Sequence, residues 1–368
     1  MKKKQLIFGF VVLAVFVAVG IYAQRRYQFD WHELIAQFMK ADWRRIGFAT
    51  GCIYVAYLFR SFRWAYLLRH SKKLNPFSLL GTQVIGFTAV ALIGRVADPV
   101  RPYLVSKKTG LPLANQIAVY IVERLFDAGT MALVFSVAML WIPTEEIMKA
   151  TSHSRSFSNL GVVHPLLASF IARYSGLVLT LLGALFLVFV RLSGDMVATF
   201  FERTFGLASQ KLGHSIGQKI HSFRTGLDAL QSIKDLAVVA SLSLAMWLLI
   251  AFAYFSCCRA FVASPQLATL TPQKCVLLMI ASGGASIIQL PVLGWFTQIV
   301  AVATVLSAGF GVAKEAATAG AATLLLTTFL GIVPVGLIWA QVEHVSLRKV
   351  TVESEHAEED LATAKAAE

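Results

Sequence analysis

Charged residues are scarce in this sequence. Asp, Glu, Lys and Arg account for 14% of its 368 residues, whereas about 25% is usual in a soluble domain. Apolar residues account for 57%, and they come in blocks of about 20 residues, the length that a helix needs to cross a bilayer. The pattern excludes an ordinary soluble domain and predicts an all-α, polytopic integral membrane protein.

Cysteines and catalytic motifs are also scarce. The cysteines lie in or beside apolar runs, and their spacing matches neither a zinc site nor a disulfide framework. The sequence has no acyltransferase box, no Asp-x-Asp pair, no nucleophile motif and no alternation typical of strands. We therefore expect no metal, no cofactor and no enzymatic activity. Small apolar packing roles are expected for Cys52, Cys257, Cys258 and Cys275.

Acidic residues are few relative to basic ones: Lys and Arg exceed Asp and Glu, which gives a net charge of +13 at pH 7. In a soluble protein this excess would indicate nucleic acid. In a membrane protein, cytoplasmic loops collect Lys and Arg and face anionic lipid. Basic residues cluster at 60–73, 95–108 and 203–234. We predict that these regions are cytoplasmic, that the partners are membrane lipids and that nucleic acid is not bound.

The first apolar run, Leu6–Ala23, follows a short basic head. This order of charge and apolar core is shared by signal peptides and first membrane spans. No small-x-small cleavage site precedes Gln24, and further apolar runs follow. A first span is therefore favoured, with the N-terminus in the cytoplasm and the protein in the bacterial inner membrane.

About seven to nine hydrophobic segments are predicted within one transmembrane domain, residues 1–340. Residues 341–368 are predicted to form a polar, disordered cytoplasmic tail. In residues 24–45 and 193–235, apolar residues recur at roughly helical spacing among polar ones, which is typical of helices that lie on the membrane surface. In the second of these, His214 and His221 share a face, and a solvated face is favoured over a metal site because a third ligand is lacking. The uninterrupted spans are predicted at Ile46–Phe59, Ala114–Ile142, Phe170–Val190, Leu236–Val262 and Ala316–Ala340.

Two apolar segments are interrupted. Pro76–Ile93 contains Gly81, Gly86 and Thr88, and a full crossing would place the next basic loop outside, so a broken or re-entrant helix is predicted. Thr271–Ala313 is interrupted in a similar way. Irregular segments in corresponding halves point to a midplane site in repeat-built transporters, so an internal repeat is an open interpretation. The second segment is marked by Gly283, Gly284, Gln289, Pro291, Gly294 and Gln298.

The stretch from Gly94 to Asp127 carries charges between long apolar runs. Such charges cost several kcal/mol each unless they are paired or hydrated. On a helix, Glu123 and Asp127 are one turn apart, so both carboxylates need a cation, water or an arginine partner on one face. Two interpretations stay open: a site for a lipid phosphate, or an ion network that holds the loop. The candidate residues are Arg95, Asp98, Arg101, Glu123, Arg124 and Asp127.

The same stretch carries a family resemblance. Its matching residues are Arg95-Val96-Ala97-Asp98, Arg101, Leu104, Thr109-Gly110-Leu111-Pro112, Val122-Glu123-Arg124 and Asp127, with Arg63-Trp64 upstream and Pro291 and Gly294 downstream. They resemble the lysylphosphatidylglycerol synthase transmembrane family, flippase-like membrane proteins also called the uncharacterised protein family 0104. The resemblance covers about residues 60–339.

The resemblance implies movement or presentation of a lipid across the bilayer. In relatives, a similar membrane region is joined to a cytoplasmic aminoacyl-transferase domain, so a separate synthase is an implied partner. This sequence departs from the family pattern at Ile93-Gly94, where a proline is expected, and at Ala97, where a glycine is expected. It also has Thr297 and Gln298 where an acid is expected, which brings coupling to protons or cations into question.

We accordingly expect a flippase for a phospholipid or a polyprenyl-linked lipid. One alternative is a membrane-embedded transferase that uses Asp98, Glu123 and Asp127 as a base or a metal-binding acid pair. The other alternative is a non-transporting partner that docks a synthase through residues 193–235.

Overall fold

A computed structural model describes residues 29–143, 173–178, 180–183, 232–286, 293–347, 349–354 and 356–357. Within these ranges the chain is helical and contains no β-strand. The longer helices are α1 Trp31–Met39, α2 Trp43–Leu68, α3 Pro76–Ile93, α4 Val100–Thr109, α5 Leu113–Trp141, α6 Ile233–Arg259, α7 Pro272–Ala285, α8 Leu293–Thr304, α9 Lys314–Thr328 and α10 Val333–Val342. Short helical turns lie at Arg95–Ala97, Pro265–Ala268, Val305–Gly309 and Leu330–Ile332.

Several predicted features lie wholly or largely outside the described residues. They are the first span Leu6–Ala23, the span Phe170–Val190, the surface helix 193–235 with His214 and His221, the residues Gln289 and Pro291, and the end of the tail from residue 358.

Local sequence explains where the helices begin and end. The Asp30 and Asp42 carboxylates accept backbone N–H bonds at the starts of α1 and α2, and a Ser232–Asp235 capping box starts α6. Each cap satisfies N–H groups that a helix start leaves unpaired. Gly94 ends α3 at φ 94°, in a backbone region that favours glycine. The chain therefore turns at this residue, before the motif that carries Arg95.

The helices α2 and α6 run antiparallel along their lengths. The N–H of Asp42 donates to the carbonyl of Ala260 at 2.8 Å, and at the other end the Tyr66 hydroxyl donates to Asp235 at 3.0 Å. The main apolar core packs on this pair and includes buried residues of α7, α8 and α9. A smaller cluster joins α2 to α4 and α5.

Two of the described helices, α3 and α6, are long and apolar enough to cross a membrane. A third span results if α9 and α10 are counted together with the short turn between them, although the two parts are bent by 41°. The described residues thus support a helical membrane protein, and they do not confirm a count of seven to nine segments. The predicted single span Ala316–Ala340 is corrected to this bent pair, which has Gly331 and Pro334 near the bend.

The two interrupted segments have different outcomes. The prediction of a broken helix at Pro76–Ile93 is corrected, because α3 continues through Gly81 and Gly86 and ends only at Gly94. Side-chain packing explains the glycines: a Cβ at Gly81 would lie 2.5 Å from Nε1 of Trp339, and one at Gly86 would overlap Arg101. The other segment consists of separate helices, α7 and α8, with most of the connection outside the described residues.

Two long helices agree closely with their predictions. The predicted helix Ala114–Ile142 corresponds to α5, and the predicted span Leu236–Val262 corresponds to α6. The predicted span Ile46–Phe59 is too short, because α2 continues to Leu68.

The prediction of a disordered tail does not hold for the part of the tail that the structure describes. Residues 349–354 are helical, and Val350, 7% exposed, belongs to a cluster with α3 and α4. The Lys107 ammonium lies 2.9 Å from Glu353 and the Lys108 ammonium lies 2.7 Å from Glu343. Residues 343–347 and 349–354, here called the C-terminal segment, are thereby held against α4.

Candidate functional site

Three helices bring four arginines around two carboxylates. The helix α2 provides Arg60 and Arg63, α4 provides Arg101, and α5 provides the rest. We call this set the buried ionic cluster. Its members are Arg60, Arg63, Arg101, Glu123, Arg124 and Asp127.

Arg63 lies at the centre of the cluster. Its Nη2 donates to Oε1 of Glu123 at 2.6 Å, and its Nη1 donates to Oδ1 of Asp127 at 2.7 Å. Nη1 is also 2.7 Å from Oγ of Ser243 on α6. Because Glu123 and Asp127 share one face of α5, a single planar guanidinium bridges both acids. Arg63 thus links α2, α5 and α6 within the apolar interior.

Arg101 holds the other oxygen of Glu123. Its Nη2 donates to Oε2 at 2.6 Å, and only 2% of its side chain is exposed. The guanidinium lies 4.5 Å from the ring centroid of Phe87, 5.1 Å from that of Tyr120 and 5.2 Å from that of Trp64. These cation–π contacts and the ion pair stabilise a charge that burial would otherwise disfavour.

Arg60 and Arg124 make looser contacts and face a cavity. Their closest carboxylate distances, both to Oδ2 of Asp127, are 3.4 Å and 3.2 Å. Four guanidinium groups around two carboxylates leave an excess of two positive charges. That excess lies where Arg60 and Arg124 line the cavity.

The cavity has a volume of about 700 Å³ and is lined by residues of several helices. Most of the lining is apolar, with Phe87, Met131 and Trp247 among the larger side chains. This combination of apolar walls and a few convergent polar groups is typical of a ligand site. The charged lining residues are Arg60, Arg95, Asp98, Arg124 and Asp127.

The two regions singled out in the sequence meet at this cavity. Gly283, Gly284 and Gln298 line it together with the charged residues. Arg95 also connects the regions directly, since its Nε donates to the carbonyl of Ser286 and its Nη2 to the Ser286 hydroxyl, both at 3.1 Å. The turn after α3 is therefore tied to the end of α7.

The predicted site residues do not all occupy the cavity wall. Arg95, Asp98, Arg124 and Asp127 line the cavity, whereas Arg101 and Glu123 are not among its lining residues. Gly294 lies in α8, where its carbonyl accepts a bond from the Thr297 hydroxyl at 2.9 Å. The sites of Gln289 and Pro291 lie outside the described residues.

Arg60 and Arg63 were not predicted as part of the site. The charge pattern groups them with the basic residues of 60–73, whereas the structure buries their side chains inside the protein, at 8% and 1% exposure. The spacing of three residues and the continued apolar pattern to Leu68 are the signals that separate them from the later Lys72 and Lys73. Trp247 was missed as well; its Nε1 lies 3.4 Å from Oδ1 of Asp127.

The fold and the site together define a helical membrane protein with a cationic cluster beside an apolar cavity. Residues 6–336 match the family model described as Lysylphosphatidylglycerol synthase TM region. The chain belongs to this family, which confirms the resemblance found in the sequence. Comparison with curated proteins and comparison with solved structures gave no match. Family membership indicates a membrane protein related to lipid modification or transport.

Proposed function

We propose that this protein is a flippase-like transporter that moves a phospholipid or a polyprenyl-linked lipid across the bacterial inner membrane. The observation that carries the proposal is the cavity, in which apolar walls adjoin an excess of guanidinium groups. A lipid phosphate needs cations that replace its water, and a lipid chain needs an apolar surface. The cavity offers both.

Within this proposal Arg60 and Arg124 are the phosphate ligands, with Arg95 at the same wall. An arginine fork matches the geometry of a phosphate group and binds it through two N–H groups. Arg63 and Arg101 are committed to Glu123 at 2.6 Å each. Their role is to hold the carboxylates and so to position the two cavity arginines.

We further propose that the protein moves its lipid without chemical change. A transferase acting in this cavity would need a carboxylate free to take a proton or bind a metal. Asp127 is contacted by Arg60, Arg63 and Arg124, and Asp98 is 3.6 Å from Arg95. The docking of a synthase through residues 193–235 stays a prediction, because nearly all of that region lies outside the described residues.

Reconstitution in liposomes tests the proposal. Acyl-labelled fluorescent phospholipid and a labelled polyprenyl phosphate are placed in both leaflets, and a membrane-impermeant quencher reports transfer to the outer leaflet. We expect transfer with wild-type protein and a loss of roughly tenfold in Arg124→Gln, the size of one charge-assisted hydrogen bond. Arg45→Gln is the matched control, since Arg45 is 47% exposed and pairs with Asp42 on the far end of α2.

Two outcomes would contradict the proposal. Equal transfer in wild-type and protein-free liposomes would exclude transport of these lipids. A chemically altered lipid, detected by mass spectrometry of the recovered probe, would instead support the transferase.

A further inference from the structure

The C-terminal segment packs on one side of α4. Val100, Tyr103, Leu104 and Lys107 occupy positions i, i+3, i+4 and i+7 of this helix, so they share one face. The Tyr103 hydroxyl donates to Oε2 of Glu353 at 2.9 Å, and the Lys107 ammonium donates to the same oxygen at 2.9 Å. A single carboxylate of the segment therefore holds two side chains of α4.

Apolar contacts and a second ion pair complete the attachment. Val350 is 7% exposed and belongs to the same apolar cluster as Val100 and Leu104. The Lys108 ammonium lies 2.7 Å from Oε1 of Glu343, the residue that directly follows α10. The segment is thus attached to α4 both at its start and near its end.

A defined backbone turn directs the segment onto α4. The N–H of His344 donates to the carbonyl of Gln341 at 3.1 Å, and the N–H of Val345 donates to the carbonyl of Ala340 at 2.8 Å. These two bonds form the Schellman motif that ends many helices. His344 has φ 53°, in the left-handed region that few residues other than glycine adopt. The direction of the segment is therefore set by the backbone as well as by the ion pairs.

The helix before this turn is fixed to α3. The indole of Trp339 and the carboxylate of Glu343 lie over Gly81, where a Cβ would be 2.5 Å and 2.7 Å from them. Thr88 packs in the same way against Gly336. One continuous stretch, α10 with the C-terminal segment, therefore contacts both α3 and α4.

A different side of α4 carries Arg101 into the buried ionic cluster. Its Nη2 donates to Oε2 of Glu123 at 2.6 Å. With a rise of about 1.5 Å per residue, Arg101 and Lys108 are about 10 Å apart along the helix axis. A hydrogen-bonded helix of this length is stiff, so a shift of its outer end also shifts Arg101.

We propose that the C-terminal segment positions Arg101 through α4, with Glu343 and Glu353 as the positioning residues. Both acids lie beyond residue 336, where the match to the family ends. Their side chains are 25% and 31% exposed, so their ion pairs contribute little to the free energy of unfolding. The effect is expected on the placement of α4 and, as far as the inference rests on the proposed transport, on lipid transfer.

Hydrogen–deuterium exchange of the full-length protein in detergent tests the inference without transport. The double variant Glu343→Gln/Glu353→Gln removes both charges and keeps the side-chain size. We expect the amides of residues 103–105, next to Arg101, to exchange roughly fivefold faster, as for the loss of two exposed ion pairs. Exchange in α5 should stay unchanged. Asp42→Asn is the matched control, since it removes a 33% exposed carboxylate that pairs with Arg45.

A charge exchange checks that the ion pair itself is responsible. Lys107→Glu places like charges together, so it should speed exchange in α4. Adding Glu353→Lys restores opposite charges at the same positions, and slow exchange should return. This pair of variants keeps the test open even if the double glutamine variant fails to fold.

Lipid transfer in the liposome assay shows whether the segment acts through Arg101. We expect Glu343→Gln/Glu353→Gln to reduce transfer roughly threefold, the size of an exposed ion pair. Arg101→Lys lacks the planar fork that α4 has to place. In that background the two glutamine substitutions should therefore cause no further loss, whereas a purely structural role would give the same loss in both backgrounds.

The outcomes separate this inference from transport. Exchange that stays unchanged, or that rises only at residues 107–109, overturns the inference even when the wild-type protein transfers lipid. Faster exchange at residues 103–105 without transfer of lipid by the wild-type protein supports the positioning of α4 and overturns the proposed transport. Where the wild-type protein does transfer lipid, an equal loss in both backgrounds overturns the role of Arg101.

Discussion

The buried ionic cluster and the ion pairs of the C-terminal segment use the same chemistry in different surroundings. Arg63 and Glu123 lie 2.6 Å apart, and each side chain is 1% exposed. Lys107 and Glu353 lie 2.9 Å apart, but their side chains are 59% and 31% exposed. Similar distances therefore hide a large difference in the medium that surrounds the charges.

Burial changes what the loss of one partner costs. An exposed ion pair contributes about 0–1 kcal/mol, since water solvates each charge when the other is removed. Removal of one partner of a buried pair costs about 3–5 kcal/mol, because the remaining charge has no water to solvate it. The comparison predicts a graded series of effects, from the centre of the cluster to the C-terminal segment.

The largest effect is expected for Arg63→Met. The substitution removes the central cation that both Glu123 and Asp127 contact. Methionine is unbranched and apolar, so it fills much of the space of the arginine side chain without its charge. We expect the free energy of unfolding to fall by about 3–5 kcal/mol, measured as thermal or denaturant unfolding in detergent. Arg45→Met on the same helix is the control and should change it by less than about 1 kcal/mol. Similar shifts in the two variants would remove the distinction between buried and exposed pairs.

A double-mutant cycle sharpens the comparison at Arg101 and Glu123. Arg101→Met leaves one Glu123 oxygen without its partner, so we expect a loss of about 3 kcal/mol. In the double variant with Glu123→Gln, the orphaned charge is absent, and part of the stability should return. We expect a coupling energy of about 1–3 kcal/mol.

The same samples distinguish structure from binding. Arg101→Lys keeps the charge but loses the planar fork, so it should fold, with lipid transfer reduced. If the double variant recovers stability but not transfer, the cluster supports the binding site. If it recovers both, Arg101 and Glu123 are structural only, and the proposed phosphate ligands Arg60 and Arg124 do not depend on them for their position.

A moderate effect on stability is expected at Gly86, where the backbone of α3 packs against the Arg101 side chain. A Cβ at Gly86 would overlap the Arg101 side chain, whereas one at Gly51 would have no neighbour within 4 Å. We expect Gly86→Ala to destabilise the protein by about 1–3 kcal/mol through displacement of Arg101. Gly51→Ala should be neutral or slightly stabilising, because alanine favours helix formation. A neutral Gly86→Ala in the same unfolding assay would show that Arg101 has room to move.

The smallest effect is expected at the C-terminal segment. Hydrogen bonds from Lys107 and Tyr103 hold the pKa of Glu353 below its ordinary value. The stabilisation from this carboxylate is therefore present above the unfolded pKa of about 4.3 and is lost as the pH falls through the lower folded pKa. We expect Glu353→Gln to lower the melting temperature slightly at pH 7, far less than Arg63→Met, with the difference disappearing in acid. A difference that grows as the pH falls would contradict this assignment.

The sequence by itself determined most of the helices and four of the six members of the buried ionic cluster, Arg101, Glu123, Arg124 and Asp127. Apolar periodicity placed α5 and α6 within a few residues of their observed ends, because long apolar runs and local caps are encoded in neighbouring residues. The spacing of Glu123 and Asp127 placed both acids on one face for the same reason. The family resemblance, confirmed by a family model that matches residues 6–336, drew attention to the stretch from Arg95 to Asp127.

Only the tertiary structure decided which cations those acids bind. Arg63 is 60 residues from Glu123 in the chain, and although Arg63-Trp64 matches the family pattern, no local feature pairs this arginine with the two acids of α5. The antiparallel pairing of α2 with α6 and the packing of α5 against them bring Arg63, Ser243 and Asp127 together. Likewise, the need for glycine at position 86 of α3 arises from the Arg101 side chain of α4, which a Cβ at that position would overlap. Partners distant in sequence are selected by packing and burial, and these are properties of the folded chain.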